Sequence, residues 1–135
     1  MMRIRDAARL SGVSAKLIRY YETAGLISPA GRDANDYRLF DERNVHELRF
    51  IKRARSLGFP LKQIEELLGL WREKRRPSRK VKVLAQRHKQ VVVGRMEAHW
   101  AIIKVLGRLI EACKGDDRPE CPILDELGSK RRGRS

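Results

Sequence analysis

Apolar positions along the chain recur mainly at helical spacing. Ile4, Ala7, Ala8 and Val13 fit one short helix and a following turn, punctuated by Gly12. Ser14 is a good N-cap for a second helix from Ala15 to about Ala24, with Leu17, Ile18 and Tyr21 on its apolar face and Gly25 ending it. Two short helices joined by a glycine-containing turn make a helix-turn-helix pattern. Pro29, Gly31, Asp33, Asn35 and Asp36 predict a loop, and Tyr37-Arg38-Leu39-Phe40 alternates as an edge strand of a wing. Asp41 is positioned to cap a third helix with Val45, Leu48, Ile51, Ala54 and Leu57 on one face, and Gly58 stops it. A fourth helix comes after Pro60, carrying Leu61, Ile64, Leu67, Leu68 and Trp71. Then comes a charged hinge, Arg72 to Ser78, in which Ser78 can cap the next helix.

From about Arg79 to Ala112 the chain has no proline. Val92, Met96, His99, Ile103, Leu106, Ile110 and Cys113 recur at alternating spacings of four and three, the pattern of a coiled-coil seam. Such a helix reaches roughly 50 Å at 1.5 Å per residue, and nothing else in the chain is large enough to bury it. A second copy is the natural solution, so the reading is a homodimer, parallel or antiparallel. His99 puts a polar group into the seam, read as a hydrogen-bonded or partly exposed register residue rather than a ligand, and Gly94 and Gly107 weaken it. The fold class is therefore mostly α: a winged helix-turn-helix domain over 1–76, a long dimerisation helix over 77–112, a C-terminal loop and short segment over 113–129, read below as metal-binding from its cysteines, and a basic tail over 130–135 expected to be disordered.

Charge changes this picture from a fold to a partner. The 135 residues carry 31 Lys+Arg against 17 Asp+Glu, a formal net charge of +14. That excess points to a polyanion, nucleic acid first. Its distribution is uneven: residues 1–76 are net +7, 77–112 net +6, 113–129 net −3 and 130–135 net +4. A uniform nucleic-acid coat would lack the acidic stretch, which suits a cation or is simply a solvated acidic turn. On the second helix Lys16, Arg19 and Tyr20 are candidates for the major groove, with Leu17 and Ile18 turned inward and one of Tyr20 and Tyr21 in the core. Arg32, Tyr37 and Arg38 of the wing are candidates for the DNA backbone or minor groove. Taken singly, each also reads as a solvated surface residue. Taken with the helix-turn-helix and the charge, they read as double-stranded DNA contacts.

The acidic stretch holds both cysteines. Seven residues separate Cys113 from Cys121, and Gly115 and Pro119 let the chain fold back between them. A structural zinc site wants four ligands. Two soft thiolates suit a soft monovalent ion such as Cu(I); an unliganded pair or a disulfide are the other readings. No nucleophile–base pair, paired carboxylates or phosphate loop appears, and His46, His88 and His99 are scattered, so an enzyme is not expected. No apolar run approaches the roughly 20 residues that span a bilayer and no signal-peptide core is seen, so the expected location is the cytoplasm, with no membrane partner.

Arg19-Tyr20-Tyr21-Glu22, Gly25-Leu26-Ile27, Tyr37-Arg38 and the run Ile51-Lys52-Arg53-Ala54-Arg55-Ser56-Leu57-Gly58-Phe59 resemble the winged-helix domain of MerR-type regulators, over about residues 3–76. The resemblance resumes from Cys113 to Leu127, which is similar to the metal loop of the copper-responsive CueR/HmrR-like branch. It implies an antiparallel coiled-coil homodimer on a palindrome in an overlong promoter spacer. The dimer would kink and underwind that DNA for RNA polymerase, with Cys113 and Cys121 holding Cu(I), or Ag(I) or Au(I), in linear geometry. Members of the family that sense divalent ions carry a cysteine at the start of the dimerisation helix. Ser78 stands there in this sequence, which implies monovalent selectivity. The stretch from about Ala85 to Arg108 departs from the family's pattern, with Val91-Val92-Val93-Gly94, His99-Trp100 and few acids. The alternatives kept beside this reading are a MerR-type regulator answering another ligand and a copper-binding protein without regulatory activity.

Overall fold

The computed structural model describes residues 1–129; the tail expected to be disordered, 130–135, lies outside the described residues. The order is α1 (Ile4–Ser11), α2 (Ala15–Thr23), β1 (Gly31–Arg32), β2 (Arg38–Leu39), α3 (Glu42–Ser56), α4 (Leu61–Arg72), α5 (Ser78–Ala112) and α6 (Pro122–Leu127). Two compact units divide this order, one from Met1 to His88 and the other beginning at Lys89.

In the first unit the local signals act as the sequence predicts. Ser14 Oγ accepts the Leu17 N–H at 3.2 Å and so caps α2. Asp41 and Asn44 form a reciprocal capping box at the start of α3, with Asp41 Oδ1 accepting the Asn44 N–H at 2.9 Å and Asn44 Oδ1 accepting the Asp41 N–H at 3.1 Å. Asn44 also donates to the Ser28 carbonyl at 2.9 Å, which anchors the loop before the wing. The core gathers around Phe40, Ile18, Leu48, Ile51, Ile64 and Leu68, all essentially without solvent contact. Tyr21 joins them and Tyr20 stays outside.

Four expectations are corrected. Leu17 is 44 % exposed rather than turned inward: Ile18 and Tyr21 alone occupy the buried stripe of α2, and the residue before Ile18 is rotated about 100° from it. Leu57 is exposed because it lies at the end of α3, past the last full turn of the buried face. Ser78 is the first residue of α5, one place inside its expected cap position. The edge strand has partners within the chain: β2 pairs antiparallel with β1 in the register Gly31↔Leu39 and Arg32↔Arg38, inside the stretch expected to be loop. Met2 also bridges Phe40, exchanging two backbone hydrogen bonds of 2.7 Å.

The wing tip is organised by Asp33. Its Oδ1 accepts the N–H groups of Asn35 at 2.9 Å and Tyr37 at 3.0 Å, and its Oδ2 meets Arg3 Nη2 at 2.7 Å. The Tyr37 hydrogen bond, with those from Asn35 and Arg3, holds the Asp33 carboxyl below its ordinary range against the opposing cost of desolvation.

The start of α5 belongs to the first unit through His88, the buried residue of that helix. His88 Nε2 donates to the Leu57 carbonyl at 2.7 Å, and its ring stacks on Phe59 with centroids 4.1 Å apart. Gly58 lies beneath it at φ +87, and a Cβ there would sit 3.3 Å from His88 Nε2.

In the second unit α5 continues to Ala112 and is followed by the loop and α6. Val92, Met96, Ile103, Leu106 and Ile110 of the expected seam are exposed in this single chain, Met96 and Ile110 at 62 % each, and His99 is exposed with Nδ1 bonded to the Arg95 carbonyl at 2.8 Å. No helix among the described residues is long and apolar enough to cross a membrane.

Two measurements test this packing. Gly58→Ala places a side chain in the left-handed region against the imidazole. It should lower unfolding stability by about 1–2 kcal/mol in urea melts; an unchanged midpoint would contradict the close approach. For the wing, a depressed carboxyl keeps its contribution in full above the ordinary carboxylate value of 3.8 and loses it only as pH falls through the lower native value. The Tyr37 amide resonance should therefore titrate with a midpoint below that of a free aspartate, and Asp33→Ala should abolish its protection from exchange. A midpoint at or above the free value would mean that the network does not form.

Candidate DNA-reading surface and thiol pair

Helix α2 has one buried face, so its exposed residues form a defined outer face. Lys16, Arg19 and Tyr20 are all on it. Among the described residues neither Lys16 nor Arg19 has an ion-pair partner, so both charges stand free for an external anion or base edge. Thr23 Oγ1 donates to the Arg19 carbonyl at 2.9 Å, a back-bond in the last turn of the helix.

The wing residues are more engaged than their charge alone suggested. Arg32 Nη1 donates to the Asp36 carbonyl at 2.9 Å and lies 3.6 Å from its carboxylate, bracing a residue held at φ +65. Arg38 pairs with Glu22 of α2 through Nε and Oε1. This ion pair ties the wing strand to the second helix, so Arg38 positions the wing while its side chain stays partly exposed. Tyr37 is exposed, with the Arg3 guanidinium 4.6 Å from its ring centroid. The structure thus brings Lys16, Arg19 and Tyr20 together on one helix and Arg32, Tyr37 and Arg38 together on the adjoining hairpin.

Sequence reasoning missed three contributors to this surface. Asp33 had a readable signal, since an aspartate two and four residues before bonded amides is an Asx-type turn former. Arg3 comes from the chain start and meets the wing only through the fold. Arg49 donates from Nε and Nη2 to the Leu10 carbonyl at 3.2 and 2.9 Å, which braces the end of α1 just before the turn. No local pattern encodes those two long-range contacts.

The second unit carries the thiols. Cys113 directly follows α5, its N–H donating to the Leu109 and Ile110 carbonyls at 3.1 and 3.2 Å. Gly115 then takes φ +63, a left-handed step that reverses the chain. Asp116 closes the turn: its Oδ1 accepts the Arg118 N–H at 3.0 Å and its Oδ2 accepts Arg118 Nε at 3.0 Å. The Arg118 side chain, then its backbone N–H, holds the Asp116 carboxyl below its ordinary value. Cys121 occupies the position before α6. Both thiols are free and half-buried. The backbone N–H of Leu124 lowers the Cys121 pKa from the usual 9.0; desolvation opposes it, the Ile123 N–H and the Cys113 thiol add to the lowering, and the Asp125 charge opposes it.

Cys113 thus acts on the Cys121 thiol, whose pKa lies below its usual value. Among the described residues no group of three or more His, Cys, Asp or Glu side chains is placed to share a metal ion. This donor set of two soft sulfurs fits a soft ion of low coordination number. Ser78, the expected selectivity position, is exposed at the first residue of α5 in the other unit.

Residues 2–70 match the family described as MerR HTH family regulatory protein, and residues 45–109 match the one described as MerR, DNA binding. The HTH-type transcriptional regulator HmrR of Sinorhizobium medicae is 48 % identical over 126 residues, covering 93 % of this chain and 86 % of the relative. The heavy metal-dependent transcription regulator 2 of Rhizobium meliloti is 47 % identical over 128 residues, covering 95 % and 87 %. Among solved structures, the transcription regulator PbrR691 of Ralstonia metallidurans in complex with lead(II) superposes with a TM-score of 0.83 at 31 % identity, covering 95 % of this chain and all of that one. Helix-turn-helix, wing and long helix occur here in one chain that these relatives match nearly end to end, and the protein belongs to the MerR family of DNA-binding transcriptional regulators.

Proposed function

We propose that this protein is a cytoplasmic, Cu(I)-responsive transcriptional activator of copper-efflux or copper-resistance promoters, working as a homodimer. The observation that carries the copper reading is the pair of adjacent free thiols at Cys113 and Cys121. The relative named as heavy metal-dependent supports a metal effector. Cys113 and Cys121 would hold the ion, which supplies a soft cationic bridge between two thiolates; Ag(I) and Au(I) share that chemistry.

On DNA, Lys16, Arg19 and Tyr20 enter the major groove and Arg32, Tyr37 and Arg38 grip the flanking backbone or minor groove. The exposed seam of α5 pairs with a second copy, antiparallel as in the family. The dimer then bends and underwinds the promoter spacer so that RNA polymerase can engage it. Ser78 lies where a divalent sensor would offer a third thiolate, most simply toward the partner's loop. Because PbrR691 is described with lead(II), a divalent effector is the competing reading, and lead belongs in the test.

Two experiments check this. Promoter transcription with purified protein and polymerase, titrated at buffered free metal, should respond to Cu(I) and Ag(I) and poorly to Zn(II), Cd(II), Hg(II) and Pb(II). Cys113→Ser or Cys121→Ser should abolish the response with DNA affinity retained, and Ser78→Cys should loosen the selectivity. A wild-type protein answering Pb(II) or Zn(II) as sensitively as Cu(I) would overturn the monovalent assignment. Arg19→Ala should cost about 1–3 kcal/mol of operator affinity and relax base preference; an unchanged footprint and preference would remove α2 from the major groove.

A further inference from the structure

We propose that Leu17 reads sequence, its side chain meeting the C5-methyl group of a thymine in the major groove of duplex DNA. The inference rests on the reading of α2 as the recognition helix. Ile18 and Tyr21 fill the buried face of that helix, and Leu17 stands 44 % exposed beside them. An exposed leucine alone is ordinary. The surroundings of this one are not, because its neighbours on the outer face are Lys16 and Tyr20, and the chain around it is strongly basic.

Three features point to a base edge. The Leu17 N–H is bonded to Ser14 Oγ at 3.2 Å, so its backbone is fixed in the first turn of α2. That turn is where a helix-turn-helix protein reaches base edges. Residues three apart share a helix face, so Leu17 lies with Tyr20 in one small patch, branched aliphatic beside aromatic. Lys16, Arg19 and Tyr20 can each make a hydrogen bond; the Leu17 side chain cannot. The thymine methyl is the one apolar group that an unmodified base pair presents in the major groove. An aliphatic side chain held among DNA-reading donors is complementary to that group and to no phosphate or sugar oxygen.

The test separates this contact from DNA binding at large. The full-length protein selects duplexes from a pool with random central sequence, and the preferred duplex is remade with each thymine replaced singly by deoxyuridine, which removes only the methyl. Affinities are read by fluorescence anisotropy for the wild type, Leu17→Ala and Leu17→Asn. Leu17 is not part of the core, so both variants should fold; circular dichroism melts verify it. One deoxyuridine position per half-site should weaken wild-type binding about fourfold and leave both variants unaffected. If no replacement weakens the wild type, or if the replacement that does weakens Leu17→Ala equally, the Leu17 contact is wrong. A wild type that enriches no sequence would overturn the recognition-helix reading and this inference with it. Clear enrichment indifferent to deoxyuridine would overturn the role of Leu17 alone.

Discussion

A chain with nearly two basic residues for each acidic one must place its few carboxylates well, and the first unit is organised by where they go. Glu47 is the central case. It is buried on α3, and its Oε2 meets Arg72 Nε at 2.7 Å, while Arg72 Nη2 donates to the Leu26 carbonyl at 2.9 Å. One guanidinium fork thus joins the end of α4 to α3 and to the segment leaving α2. Removing Arg72 would leave the buried Glu47 carboxylate only the longer 3.8 Å contact to Arg43 and take the guanidinium donor from the Leu26 carbonyl, which costs more than an exposed pair contributes. Asp33 with Arg3 and Glu22 with Arg38 repeat the device in the wing, where each pair is partly exposed and acts mainly to fix geometry. Lys16 and Arg19, by contrast, keep their charge uncompensated among the described residues, and the carboxylates of Glu22 on α2 and Asp33 in the wing are held by Arg38 and Arg3.

The elements that could be read from the sequence were those with local causes. Ser14 and Asp41 cap because their side-chain oxygens reach the next turn's amides, and Gly58 ends α3 because it can take a left-handed backbone. Such causes lie within four residues of their effects. The misses had distant ones. β1 is two residues long and exists only because Arg38 and Leu39 pair with it. Met2 is held by Phe40 across much of the domain's sequence, and His88 reaches back to Leu57. Leu17 failed for another reason: periodicity with Tyr21 placed it on the apolar face, but the core had room for one row of side chains, which Ile18 and Tyr21 fill. The thiol pair was legible as a pair because Gly115 lies between the cysteines. The lowered pKa of Cys121 was not, since it depends on the aim of the Leu124 and Ile123 amides.

Exposure along α5 constrains the assembly. Val92, Met96, Ile103, Leu106 and Ile110 repeat at seam spacing on a single chain and stand open to solvent. Covering the roughly half of each side chain that is still exposed would contribute about 1 kcal/mol, so the proposed homodimer offers a stabilisation that the isolated helix forgoes. Trp100 and Ile102, exposed at 59 % and 53 %, widen the apolar surface beyond a strict two-position seam. A wider stripe tolerates His99, whose Nδ1 is already satisfied by the Arg95 carbonyl and need not be desolvated unpaired. The departure of this helix from the family's pattern thus leaves an apolar stripe that the proposed pairing could cover.

Charge and donor number pull in opposite directions at the thiol pair. The segment 113–129 is net −3 before any thiol ionises, so simple electrostatics would favour a divalent ion over a monovalent one. The proposed discrimination in favour of Cu(I) would therefore have to arise against the field, from the number of donors. A divalent ion held by two sulfurs keeps unmet coordination demand, whereas a soft monovalent ion is satisfied by two. Asp116 and Asp125 lie close in sequence but do not complete a larger set: Asp116 is held by Arg118, and no group of three or more donor residues is found among the described residues. On that proposal Arg118 would take part in the selectivity, because it withdraws a carboxylate that a divalent ion could have recruited. Selectivity in the proposed site would thus be set by how few donors are left free, which is why Ser78→Cys is expected to loosen it.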